Sequence, residues 1–405
     1  MDKDNYLFYR RNPPNRYASF NDQQRKIHSK ERRFIARAFY LVALILPANF
    51  RQKPSRDLFR KTFESSATLC LIFYIVADFR NLFISVWILP IGLSFSQLFT
   101  TIFTITLRLT LLFKRRSVFT LMMRLQDVHS RTQSKKCLNQ RPQLLAGACI
   151  CYILPGVLQW YSMLLCVPGA EDEMRFYLED IFFGWRTENK WANCAIVNLF
   201  DHFIANQEYV QSGLIIVLCW YLFGLMKRIV LSFVDISRDE YDLESLFALY
   251  LKFSKTIYQC ISLSEQALSL LLLLLYGFMI FSIFNVTTFL MSIKLSRLPM
   301  SIVINEVTVF LVMITGFYLL SFQAIAIHDA AVRVKNSVCD TVSKSNSLDC
   351  DIKCLILTMA TEFPSKVVVT GWGLFPLKRS FLSRTTSGIF TYAILLAQIG
   401  KEASK

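Results

Sequence analysis

The segment Phe381–Gly400 reads FLSRTTSGIFTYAILLAQIG. It is apolar and about as long as the roughly 20 residues that a helix needs to cross a bilayer. It also carries Ser387, Thr391 and Gln398. At about 100° per residue, Ser387, Thr391, Ile394 and Gln398 fall in one narrow stripe, because their spacing is i, i+4, i+7, i+11. Polar groups in hydrocarbon are costly unless they face protein or water. A single polar stripe on a spanning helix therefore points to a water-filled path, and several copies must meet to enclose one.

The rest of the chain fits a membrane protein. Hydrophobic residues make up 54% and charged residues 18%. Mean hydropathy is +0.39. Soluble domains are usually about 25% charged. The formal charge of +16 does not point to nucleic acid, because the basic residues flank apolar spans, where topology and anionic lipid explain them.

Hydropathy predicts seven spans: 63–79, 87–113, 144–167, 203–226, 267–291, 301–327 and 381–399. A weaker apolar stretch at 34–50 is short, contains Arg37 and is broken by Pro47; it is predicted to lie in the interface. Residues 1–33 are polar and basic, with no apolar core of a signal peptide, and are predicted to form a flexible cytosolic tail. Residues 34–327 then hold spans one to six and a ligand cavity. Residues 328–380 form a cytosolic helical anchor segment, and 381–405 the seventh helix with a short outer tail.

Segments 1–62, 114–143, 227–266 and 328–380 hold 35 of the 45 Lys and Arg residues. The positive-inside rule places them, and the N-terminus, in the cytosol, with the C-terminus outside. The fold class is thus an all-α membrane protein whose orientation is the reverse of a G-protein-coupled receptor. Apolar positions at helical spacing in 239–266 predict that spans extend as helices beneath the membrane. The outer loop 168–202 carries Glu171, Asp172, Glu173, Glu179, Asp180 and Glu188. It is either a vestibule that concentrates cations or an ordinary solvated loop. Cys166 and Cys194 fall on this outer side, close enough in the topology to pair or to stay free.

Val369–Leu377 (VTGWGLFPL), then Ser387-Gly388-Ile389-Phe390-Thr391-Tyr392 and Gln398, resemble the closing signature of the insect gustatory receptor family: Thr-Tyr, five mostly apolar residues, Gln, Phe. Thr391, Tyr392 and Gln398 match in type and spacing, and Ile399 replaces the final Phe. Ile45–Phe50 (ILPANF) resembles a weak form of the family's motif before the first span. The signature covers about thirty residues, while length, span number and orientation agree along the whole chain.

The resemblance implies a tetrameric, ligand-gated, non-selective cation channel in the plasma membrane of a chemosensory neuron. The seventh helix of each subunit would line the pore, with Gln398 and Ile399 as the gate. It implies a small tastant as ligand, bitter or otherwise aversive by default, and a homo- or hetero-tetramer with other gustatory receptor subunits. The ligand pocket would lie among spans two to six, open to the outside.

Each candidate has a plainer role beside it. Gln398 either narrows the pore or makes an interhelical contact. Ser387 and Thr391 either face water or bond back to the helix carbonyl four residues earlier. Tyr392 lies off the stripe and is predicted to pack against a neighbouring helix. For the ligand, the outer halves of the spans offer Gln159, Trp160, Tyr161, Gln207, Glu208, Tyr209, Asn285, Thr288, Asn305 and Glu306. Aromatics beside a few polar groups line small-molecule pockets, and they also form the interfacial belt. Glu208 and Glu306 stand out, because ionisable residues at membrane depth rarely lack a role.

The sequence shows no HExxH, GxSxG or Walker A motif. His28, His129, His202 and His328 are far apart, Cys149 and Cys151 are too close for a structural zinc site, and Cys350 and Cys354 lack a second ligand pair. No enzyme, cofactor or metal site is expected. Two rivals share the hydropathy. A metabotropic seven-span receptor conflicts with the charge count, and a transporter would show internal repeats.

Overall fold

In the computed structural model of the chain, the described residues are 14–41, 65, 66, 68–76, 79, 91–132, 141–162, 189–200, 207–237, 243–292, 300–344 and 350–403. They are almost wholly helical. We label the helices α1 (Pro14–Leu41), α2 (Ile91–Thr132), α3 (Arg141–Ser162), α4 (Lys190–Phe200), α5 (Gln207–Ser237), α6 (Leu243–Ser292), α7 (Met300–Lys344), α8 (Cys350–Lys366) and α9 (Arg379–Ala403). A hairpin of β1 (Thr370–Gly371) and β2 (Phe375–Pro376) separates α8 from α9.

α6 packs along α2 and against α7, α7 packs along α5, and α3 closes on α5. Among the described residues three stretches are long and apolar enough to cross a membrane: Tyr209–Asp235, Glu244–Thr287 and Val307–Lys344. They carry the expected spans four, five and six. The expected first span lies partly outside the described residues, as do 87–90, 163–167 and 203–206. Within the outer loop 168–202, residues 168–188 lie outside them too, and Lys190–Phe200 forms α4. Cys194 on α4 is disulfide-bonded. Every other described cysteine is free, so its partner, like Cys166, lies outside the described residues.

α6 has 50 residues. At 1.5 Å per residue it is about 75 Å long, well beyond the roughly 40–45 Å of a bilayer with its headgroups. The expected extension of spans into helices is therefore met by one unbroken helix, whose first turns, Leu243 to Gln266, precede the apolar run. There Tyr250, Phe253 and Tyr258 of α6 surround Phe363 of α8, with ring centroids 5.9 to 6.0 Å away. Phe233 of α5 stacks on Phe253 at 4.5 Å. Tyr250 donates to the Met359 carbonyl at 3.2 Å, and His328 Nδ1 lies 3.0 Å from the Pro364 carbonyl.

Two expectations are corrected. Residues 1–33 are not a flexible tail over their second half, because α1 is continuous from Pro14. Its buried residues His28, Glu31, Ile35, Ala38 and Phe39 recur at helical spacing and face α2, α3 and α5. Two of those five residues, His28 and Glu31, are polar, so hydropathy does not register the stripe. The expected interfacial helix 34–50 is the end of α1 up to Leu41, and 42–50 lies outside the described residues. The anchor segment 328–380 is helical only as far as Lys366. Thr370 then pairs with Pro376 and Gly371 with Phe375, while Trp372 and Gly373 take φ of 52° and 70°. That left-handed pair is the geometry of a tight hairpin turn, and only Gly adopts it freely.

Candidate functional site

α9 begins in an aromatic cluster and ends clear of it. Phe381 stacks on Phe375 of the hairpin, with centroids 4.6 Å apart and planes at 6°. Both meet Tyr276 of α6 edge-on, at 5.5 and 6.0 Å, and Tyr276 meets Phe317 of α7 at 5.5 Å. The Tyr276 hydroxyl is 2.9 Å from Ser321 Oγ. The hairpin is held to α6 by the Trp372 N–H, which donates to the Ser269 carbonyl at 3.1 Å. Next along α9, Thr386 Oγ1 lies 3.1 Å from the Tyr318 hydroxyl of α7. Phe381, Leu382 and Ile389 pack on the core.

Beyond Ile389 the helix changes character. Phe390 is 64% exposed, Tyr392 63% and Leu395 45%, and Thr391 is exposed as well. At about 100° per residue these four side chains span an arc of about 200°, and over that arc α9 stands clear of the described protomer. Tyr392, expected to pack against a neighbouring helix, is thus left open to a helix of another copy.

Ser387 is exposed and lines a groove of about 520 Å³ with Arg379, Ser383, Thr386, Phe390 and Thr391. The Thr391 hydroxyl donates to the Ser387 carbonyl at 2.9 Å, the back-bond weighed from the sequence. It keeps its lone pairs outward and needs no partner across the groove. Ile394, Gln398 and Ile399 are on the same helix, and Ser387, Thr391, Ile394 and Gln398 share one face by register. The side chains of Ile394, Gln398 and Ile399 lie outside what the structure describes.

The ligand candidates gather at one end of the bundle. α3 runs antiparallel to α5, because Gly147 meets Val217 while Gly213 meets Cys151. α6 runs antiparallel to α7, because Gly316 meets Met279 while Tyr276 reaches Ser321. Gln159, Trp160 and Tyr161 at the end of α3, Gln207, Glu208 and Tyr209 at the start of α5, Asn285 and Thr288 near the end of α6, and Asn305 and Glu306 near the start of α7 follow at that common end. Tyr209 and Asn285 are partly buried, and the Tyr209 ring is 6.2 Å from Phe278. The other eight side chains lie outside the described residues.

Two buried polar features are nearly silent in the sequence. Arg108 of α2 is 1% exposed, with its guanidinium carbon 5.2 Å from the Tyr74 ring centre. At the foot of α2, Gln126 Nε2 donates to the Tyr221 hydroxyl at 2.7 Å. That hydroxyl donates to Glu31 at 2.7 Å, and His28 Nδ1 is 2.9 Å from the same oxygen. The His129 ring lies 5.6 Å from His28. Burial first, then the nearby His28 and Arg228, push the His129 imidazole down to about 3, so it stays neutral. The i, i+3, i+7 run His28, Glu31, Ile35 is the one clue in the sequence that this face of α1 is buried.

No family model matches the chain, and no curated protein matches it. Solved structures do. Two structures of the insect olfactory receptor OR5 from Machilis hrabei superpose on it over 91% of this chain and 98% of theirs. The complex with eugenol has a TM-score of 0.61 at 14% identity. The other has a TM-score of 0.60 at 12% identity. The chain therefore has the fold of an insect olfactory receptor. With three helices of spanning length and apolar character among the described residues, it is a multi-pass membrane protein.

Proposed function

We propose that the chain is a gustatory chemoreceptor of the plasma membrane of chemosensory neurons, acting as a ligand-gated, non-selective cation channel. It has seven spans, a cytosolic N-terminus and an extracellular C-terminus. Four subunits, identical or mixed with other gustatory receptors, place their α9 helices around one pore. The observation that carries this reading is the distal half of α9, exposed at Phe390, Thr391, Tyr392 and Leu395 in the protomer yet bearing one polar stripe. A helix so exposed must be covered by other copies or by lipid. The stripe of Ser387, Thr391 and Gln398 costs least where copies share water. Gln398 and Ile399 form the gate, and a ring of Ile399 closes the pore by dewetting.

A small molecule entering at the outer end of the bundle, among Gln159, Trp160, Tyr161, Gln207, Glu208, Tyr209, Asn285, Thr288, Asn305 and Glu306, shifts the population toward an open arrangement. A bitter or otherwise aversive compound is the default ligand. A volatile aromatic is the second reading, favoured by the likeness to a receptor solved with eugenol.

Expression in a heterologous cell with a panel of soluble tastants and volatiles, read by calcium imaging and patch recording, tests both. Channel-sized unitary currents separate the proposal from a metabotropic receptor and from a transporter. Gln398→Ala is expected to raise the ligand-independent current or change unitary conductance. Unaltered currents would remove Gln398 from the gate.

A further inference from the structure

The polar cluster at the foot of α2 does nothing in the channel reading, yet it is built in detail. Glu31 is 2% exposed, His28 5%, Gln126 3% and His129 1%. The Glu31 carboxylate accepts from the Tyr221 hydroxyl at 2.7 Å and from His28 Nδ1 at 2.9 Å. A carboxylate oxygen only accepts, so Nδ1 is the donor, and in that tautomer Nε2 offers a lone pair. That Nε2 has no hydrogen-bond partner. His129 Nδ1 has none either, and the two ring centres are 5.6 Å apart at 58°. Gln126 sits one turn before His129 on the same face of α2. It donates through Nε2 to Tyr221, which leaves its Oε1 as an acceptor, again without a partner. Three buried atoms, each able to present a lone pair, thus lie within or beside one hydrogen-bonded network on α1, α2 and α5.

We propose that His28 Nε2, His129 Nδ1 and Gln126 Oε1 bind a divalent transition-metal ion of the zinc class. Imidazole suits zinc and its neighbours. A ligating His usually gives its other ring proton to a carboxylate, which fixes the tautomer and raises basicity; His28 does so to Glu31. Among the described residues no three His, Cys, Asp or Glu side chains are grouped to hold an ion; the third donor proposed here is an amide. Glu31 is an acidic side chain that offsets part of the incoming charge. Arg228 of α5, near His129, and Arg32 of α1, near Tyr221, act against it, so affinity falls below that of an all-thiolate structural site. Metal here would tie α1 to α2 and, through Tyr221, to α5. The proposal does not rest on the channel reading.

Zinc titrated calorimetrically into the chelator-treated full chain in detergent tests it. One ion per chain is expected to bind and to raise the thermal midpoint. His28→Ala and His129→Gln should each weaken binding at least tenfold. Glu31→Gln should weaken it about 10–100-fold, as loss of an orienting partner does. Zinc-edge absorption of the wild-type complex keeps the test independent of how the variants fold, and two imidazoles at about 2.0–2.1 Å are expected. Absence of stoichiometric binding overturns the site. So does a spectrum without imidazole, or binding that survives both His variants and is lost in Cys350→Ser/Cys354→Ser.

Discussion

Phe363→Ala is expected to lower the stability of the chain by about 3–5 kcal/mol, the usual cost of truncating a wholly buried aromatic. Phe363 is 0% exposed, and rings of Tyr250, Phe253 and Tyr258 surround it within 6.0 Å. No rotation of those rings fills the space, because Phe253 is stacked on Phe233 and the Tyr250 hydroxyl is bonded to the Met359 carbonyl. The residual cavity adds to the lost transfer energy. The effect reaches further than stability. α8 is joined to α9 only through the hairpin, so a loosened α8 no longer fixes where α9 begins. Thermal unfolding in detergent checks the first part, with Leu355→Ala on the exposed side of the same helix as control; Leu355 is 49% exposed, and its change should stay within about 0.5 kcal/mol. Equal effects of the two substitutions would mean that α8 is not docked through Phe363.

The apolar helices were legible because hydropathy and helical period agree over their whole length. Of the expected spans, 203–226 lies within α5 from Gln207 onward, 267–291 lies within α6, 301–327 begins with α7, and the seventh, 381–399, falls inside α9. The extensions were legible too, since Leu246, Tyr250 and Phe253 repeat at helical spacing and are buried.

What escaped the sequence has a common cause. α1 buries His28 and Glu31, residues that hydropathy counts as solvent-facing, so its packed stripe is invisible until partners such as Tyr221 supply the hydrogen bonds. His28 and His129 are close only because α1 crosses α2, which no local pattern encodes. The hairpin is signalled only by Gly371, Gly373 and Pro376, and Trp372 at positive φ is something that sequence reasoning disfavours. At the candidate pore, the stripe of Ser387 and Thr391 followed from spacing alone. The exposure of Tyr392 did not, because it depends on where the bundle contact ends.

Gly371→Ala should disturb the start of α9 more than Gly373→Ala, though Gly373 has the stranger backbone. A methyl on Gly371 would sit 2.3 Å from Phe375 Cζ and 2.7 Å from Cε2. That ring cannot swing aside cheaply, since it is stacked on Phe381 at 4.6 Å and abuts Tyr276. Overpacking of this kind costs about 1–3 kcal/mol, and a doubly wedged ring belongs at the upper end. Gly373 has φ of +70° and nothing within 4 Å of an added Cβ, so its substitution pays left-handed strain alone, about 1–2 kcal/mol. The two also differ in what moves. Relief at Gly371 pushes Phe375 against Phe381 and hence shifts the first turn of α9, whereas relief at Gly373 stays in the turn. Ligand-evoked current should therefore fall severalfold in Gly371→Ala and change little in Gly373→Ala at matched surface expression. Phe375→Leu combined with Gly371→Ala should recover part of the loss, because contacting residues are not additive. If the double variant is no better than the single, the aromatic stack does not transmit the position of the hairpin to α9.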